Sequence, residues 1–258
     1  MTRVVFFQGI GASMYQLLRA RVLFSEEEAP LPDKDLPEVI HTWSLNPIHL
    51  IAMLFTKILF WFRGVSYTPC HAIRYGLCNI AQSEDIFHHQ QRMKAVDEKA
   101  KEDLICYGVS RGALVTFISI ALNGHPPSLK LVVLEGSPDS IPNVLEARYR
   151  RFFGAIVEDI LCTFTKYTRK DARTYSGLKL AANFPKDVPV ALVTSEKDTV
   201  VPMANTLALA NALKASGHTK VHLLCLKHAS HDSYLTGHPD DRKDYIEFIT
   251  NLRKLYEC

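Results

Sequence analysis

Apolar residues along the chain gather into short runs that alternate with longer stretches of helical spacing. Residues 4–8, Val-Val-Phe-Phe-Gln, have the length and branched content of a buried strand. The same pattern predicts strands at 73–80, 104–107, 130–135, 188–194 and 222–227. Helices are predicted between them at 14–23, 84–100, 113–122 and 203–216. A last helix follows Pro239, with Tyr245, Phe248, Ile249, Leu252 and Leu255 on one stripe. Its first turn carries Asp240 and Asp241 and its end Arg253 and Lys254, charges that complement the helix dipole. Strands alternating with helices predict the α/β class, a mostly parallel six-stranded sheet with helices on both faces.

Two long inserts interrupt the alternation, at 24–72 and 137–187, and both are candidate caps on a single domain spanning 1–258. The first opens with an acidic, proline-broken loop at 25–37, read as a solvated face. Asn46-Pro47 then starts an apolar segment, 48–62. It falls short of the roughly 20 apolar residues of a membrane span, and Lys57 interrupts it. A buried or lid-forming helix is one reading; a membrane-surface helix with Trp61 and Arg63 at the interface is the other. The second insert shows helical patterns at 144–149 and 156–161 and a basic patch of Lys166, Arg169, Lys170 and Arg173.

The stretch 104–114 carries the most specific chemistry. An apolar run ends in Gly108-Val109-Ser110-Arg111-Gly112 and passes at once into a helical run. Strand, tight turn and helix in that order make G-x-S-x-G a nucleophile elbow. A serine on so sharp a turn needs small neighbours two residues before and after it, and lies near a helix N-terminus that favours negative charge. The plainer alternative is a tight turn with Ser110 as helix cap. After the first strand, Gly9-Ile10-Gly11 suits an oxyanion-hole loop; it also begins a dinucleotide fingerprint, which Met14 at the third glycine position breaks. Ser110, Asp198, His231 and the 9–11 loop all follow strand ends, the edge where such sheets bind ligands.

Composition narrows the picture. At 47% apolar and 22% charged, the 258 residues suit a globular protein with a sizeable core. A net charge of +3 without a basic block argues against nucleic acid as a partner. None of the six cysteines forms a C-x-x-C pair, so they read as buried free thiols of a reducing compartment, Cys106 and Cys225 in core strands. The N-terminus lacks a signal-peptide layout, so a cytoplasmic location is expected. His88-His89 reads as an exposed structural pair, since a metal site needs further ligands.

Together, the strand with its oxyanion loop, the strand with Gly-x-Ser-x-Gly, the strand with Asp198 and the strand with His231 resemble the α/β-hydrolase superfamily of serine hydrolases over nearly the whole chain. Asp198 in Asp-Thr-Val-Val-Pro looks like that family's acid loop. Ala229-Ser230-His231 stands where Ala-Gly-His is frequent. Three features depart from the pattern: the usual first strands are lacking, Gln8-Gly9 replaces the common His-Gly, and the insert at 24–72 is unusually long.

The resemblance implies a Ser110–Asp198–His231 triad and an acyl-enzyme on Ser110, with no metal or organic cofactor. The backbone N–H groups of Arg111 and Ile10 would form the oxyanion hole, with Gly11 an alternative to Ile10. His228 competes with His231 as base, and Glu135 and Asp139 compete with Asp198 as acid. Apolar inserts favour a small-molecule ester with an apolar acyl group, a lipid or thioester among them, with peripheral membrane contact through 48–62 as a further expectation. A peptidase of the same fold and a non-catalytic binding protein are the competing readings.

Overall fold

The computed structural model describes residues 2–7, 23, 38–40, 90, 93, 103–164, 169–231 and 233–258. Its strands are β1 (Thr2–Phe7), β2 (Glu38–Ile40), β3 (Asp103–Val109), β4 (Leu129–Glu135), β5 (Val190–Ser195) and β6 (Val221–Leu226). They form one six-stranded sheet in the order β2-β1-β3-β4-β5-β6. Every pairing is parallel. The helices are α1 (Arg111–Asn123), α2 (Ile141–Phe164), α3 (Arg169–Thr174), α4 (Gly177–Leu180), α5 (Met203–Ala215) and α6 (Pro239–Leu255).

Strand side chains alternate between two cores. Leu104 and Cys106 of β3, Val132 and Leu134 of β4, and Val190 and Leu192 of β5 face one way, against Leu114, Phe117 and Ile118 of α1 and Leu209 and Leu213 of α5. Phe117 also stacks on Phe184, with ring centroids 4.8 Å apart. Ile105, Tyr107 and Val109, Leu131 and Val133, and Ala191 and Val193 face the other way, against Tyr245, Ile249 and Leu252 of α6. Burial on both faces explains why these strands read as continuous apolar runs.

One expected strand, at 73–80, lies outside the described residues. The sheet's second strand is instead Glu38–Ile40, within the 24–72 insert, paired with β1 through Val5 to Phe7. Three residues are too few to show a strand period. Cys225 also departs from expectation: β6 is the sheet's edge strand and the thiol is exposed, while Cys106 is buried. In the second insert, the two helical patterns fall within α2. A Cβ on Gly154 would lie 3.0 Å from the carbonyl of Leu145, nine residues earlier, where a straight helix would put about 14 Å between them. The segment therefore doubles back on itself. The 48–62 segment and His88-His89 lie outside the described residues.

Strand order places the chemistry. The chain runs outward from β1 to β2, then returns to build β3 on β1's other side. In open α/β sheets such a reversal, here between β1 and β3, is the point where ligands bind, beyond the strands' carboxyl ends. Phe7 pairs with Gly108 there, so the end of β1 lies beside the strand end that carries Ser110.

Candidate active site

Ser110 sits between β3 and α1 with φ 54° and ψ −122°. A non-glycine residue in this region stores about 1–3 kcal/mol of strain. The turn needs Gly108, because a Cβ there would come within 2.7 Å of the Cα and 2.9 Å of the N of Ala113. Carbonyl and amide of the serine are both engaged. Its carbonyl accepts from the N–H of Ala113 at 3.0 Å and of Leu114 at 3.2 Å, and its own N–H donates to Glu135 O at 2.7 Å. The hydroxyl makes no capping hydrogen bond to the helix, which removes the plain-cap alternative. Arg111 is the first residue of α1. Ile10 and Gly11 lie outside the described residues.

His231 and Asp198 meet across the loops that follow β6 and β5. The imidazole Nδ1 lies 2.7 Å from Asp198 Oδ2. The other carboxylate oxygen, Oδ1, accepts the backbone N–H of Val200 at 2.9 Å and of Val201 at 2.8 Å. Tyr234 OH donates to Oδ2 at 2.6 Å. Asp198 is thus saturated with donors. Burial pushes its pKa up, but the hydrogen bond and charge of His231, with the bonds from Tyr234 and Val201, outweigh burial and hold the carboxyl below the usual range. Burial beside this carboxylate pushes the Tyr234 phenol far above its ordinary value, so it stays a donor.

The competing side chains are committed elsewhere. Glu135 Oε2 accepts hydrogen bonds from the hydroxyls of Tyr107 and Tyr245. Asp139 accepts from Ser140 N, from Asn143 Nδ2 at 2.6 Å and from Asn205 Nδ2 at 2.8 Å, tying α2 to α5. The ring of His228 packs on that of His238, centroids 4.2 Å apart. Of the two histidines and three carboxylates considered, His231 and Asp198 are the pair that meet.

Four residues to which the sequence reading gave no site role shape the active site: Gly136, Ser195, Tyr234 and Asp241. Gly136, which follows β4 with φ 53°, is the floor under the imidazole: a Cβ would lie 3.0 Å from His231 Cε1 and 3.2 Å from Nδ1. Since Ser110 N bonds the carbonyl of Glu135, the residue before Gly136, the serine turn and the imidazole share one stretch of backbone. Asp241, buried at the start of α6, accepts the backbone N–H groups of Lys227 at 3.1 Å, His228 at 2.8 Å and Ala229 at 2.7 Å. Ser195 Oγ donates to Ala229 O at 2.5 Å. These bonds anchor the loop that carries His231. Glycine at a strand end is the only sequence signal for Gly136; Asp241 reads in sequence only as a first-turn acid of the last helix, and Ser195 and Tyr234 have no signal.

A parallel sheet covered on both faces, with a strained serine turn at its switch point and a histidine–aspartate pair beside it, defines an α/β-hydrolase serine hydrolase. The chain belongs to the prolyl oligopeptidase family, whose family model matches residues 81–253, more than half of its length.

Similar solved structures agree on the fold. An α/β hydrolase from the metagenome of sediments of the Mar Chica lagoon, Morocco, aligns with a TM-score of 0.56 at 13% identity, over 100% of this chain and 92% of its own. The Pyrococcus horikoshii acylaminoacyl peptidase aligns at 0.54 and 16% identity over 71% of this chain. A Mycobacterium tuberculosis puromycin-hydrolyzing peptidase aligns at 0.52 and 17% identity over 69%. The alignments span 30% and 27% of those two peptidases' own lengths. No curated protein sequence matches the chain.

Proposed function

We propose that the protein cleaves carboxylic esters through an acyl-enzyme on Ser110. The observation that carries this reading is the His231–Asp198 pair, 2.7 Å apart and resting on Gly136, whose neighbour Glu135 accepts the Ser110 N–H. His231 takes the serine proton as the hydroxyl attacks and returns it to the leaving group. Asp198 holds Nδ1 protonated, leaving Nε2 to face the serine, and stabilises the imidazolium. The N–H of Arg111 and that of Ile10 bind the oxyanion, each worth about 3–4 kcal/mol in the transition state. Water then attacks the acyl-enzyme by the same steps in reverse.

The acyl group is apolar in this reading. Support comes from the inserts: Phe153 and Ile156 of α2 are exposed apolar residues, and 48–62 is apolar in sequence. A peptide or acyl-peptide bond is the second reading, favoured by the family that the chain belongs to. The deciding experiment compares kcat/KM on p-nitrophenyl esters of graded acyl length with kcat/KM on acyl-aminoacyl anilides. Esters turned over faster as the chain lengthens support the first reading. Anilides cleaved with comparable or greater kcat/KM overturn it in favour of the second.

A further inference from the structure

Two donors converge on one oxygen of Asp198. His231 Nδ1 lies 2.7 Å from Oδ2 and Tyr234 OH lies 2.6 Å from it. The phenol is fully buried, three residues beyond the histidine on the same loop. A Cβ on Gly136 would touch both groups, at 3.4 Å from the phenol oxygen and 3.0 Å from the imidazole, so both rest on the same glycine. The rings themselves stand edge to face with centroids 6.5 Å apart. The carboxylate is fixed from its far side by the Val200 and Val201 amides.

We propose that Tyr234 is a positioning residue of the hydrolase site: its hydroxyl shares Asp198 Oδ2 with His231, fixing the carboxylate plane and with it the direction of the imidazole. The role rests on the functional reading above. It follows from what an oxygen with two charge-assisted donors can do. Each bond restricts the carboxylate torsion, and the pair leaves the oxygen no alternative rotamer that keeps both. Sharing also has an electrostatic sign. A carboxylate whose charge is partly drawn toward a phenol stabilises an imidazolium less than an unshared one. Tyr234 therefore moderates the charge that Asp198 presents while holding the carboxylate, and with it the imidazole, in place. The other charge that acts on the phenol, among the described residues, is Glu135 at the end of β4, which burial and its own hydrogen bonds to Tyr107 and Tyr245 keep in place.

The test is the Nδ1–H proton resonance of His231, followed by NMR in the wild type and in Tyr234→Phe, with His231→Ala for assignment. Tyr234→Phe keeps the ring's shape and removes only the donor. The resonance is expected to move and broaden, because the carboxylate loses one of the bonds that hold it. A second pair keeps the effect separate from folding: in Asp198→Asn, adding Tyr234→Phe should leave the resonance where it is. The same position and width in the wild type and Tyr234→Phe overturns the proposal. So does an equal change in the Asp198→Asn background. The readout needs no turnover. A changed resonance in a protein that hydrolyses nothing would sink the catalytic reading and leave the positioning intact. In an active protein, Tyr234→Phe should lower kcat while KM stays constant.

Discussion

Gly136→Ala separates the cost of backbone strain from the cost of moving the base. Gly136 has φ 53°, and Gly217, at the end of α5, has φ 86°. Alanine in the left-handed region costs about 1–2 kcal/mol at either position. The two differ in what the new methyl meets. At Gly217 nothing lies within 4 Å of it, whereas at Gly136 it would sit 3.0 Å from His231 Cε1 and 3.2 Å from Nδ1. Relaxing that contact to the optimal 3.5 Å or more moves the ring by about half an ångström. Displacement of a reacting group by about 1 Å costs about 100-fold, so half of that predicts a loss near tenfold, or about 1.4 kcal/mol in the barrier. Denaturant unfolding of both variants should therefore show similar losses of stability. Only Gly136→Ala should lose kcat/KM on an activated ester, with KM little changed. Gly136→Ala that keeps kcat/KM within about twofold of wild type, or Gly217→Ala that loses as much as Gly136→Ala, would refute the reasoning.

Other consequences can be measured alongside. Gly108→Ala drives a methyl to 2.7 Å from the Ala113 backbone, where neither strand nor helix can yield; it should cost about 3 kcal/mol or more, read by denaturation or as insoluble expression. Asp241→Ala leaves the Lys227, His228 and Ala229 amides without their acceptor and should cost about 2–4 kcal/mol, together with activity, as the His231 loop loosens. Asp198 and Asp241 both have folded pKa values below their ordinary ones, against the pull of burial, because of hydrogen bonds to them and the charge of His231 on Asp198 and of His228 on Asp241. Their stabilisation is present above about pH 4 and should vanish as pH falls through the lowered values in an acid titration of stability. His218 shows a dependence of the same sign at a higher pH: burial lowers its pKa, its Nε2 faces Pro185 O at 3.0 Å, and its Nδ1 accepts the Lys220 N–H at 3.2 Å. The unfolded chain takes up that proton first, so stability should fall as pH drops below about 6.5, with a smaller slope in His218→Gln.

How far the sequence reveals this protein depends on how local each cause is. β3, β4 and β5 are buried on both faces, so their apolar runs carry the assignment unaided. The elbow is legible for the same reason: Gly108 and the helix after Ser110 act within a few residues of it. β2 is three residues long and takes its conformation from β1, which no window along the sequence can show. Glu135, Asp139 and Asp198 all leave strand ends and look alike in sequence. What separates them is tertiary: two tyrosines hold the first, two asparagines and a serine amide the second, and the histidine the third. His228 and His231 are distinguished likewise by His238, which lies ten residues beyond one and packs on its ring. Cys225 sits in a strand pattern like that of Cys106, and edge position alone, a property of strand order, exposes it.

Labelling with a fluorophosphonate probe tests the central claim most directly, because the probe reacts with a serine that has been activated and leaves an ordinary hydroxyl alone. The account predicts that the wild type labels, that Ser110→Ala and His231→Ala do not, and that His228→Ala labels as the wild type does. A folded wild type that fails to label, or labelling that survives Ser110→Ala, would contradict it.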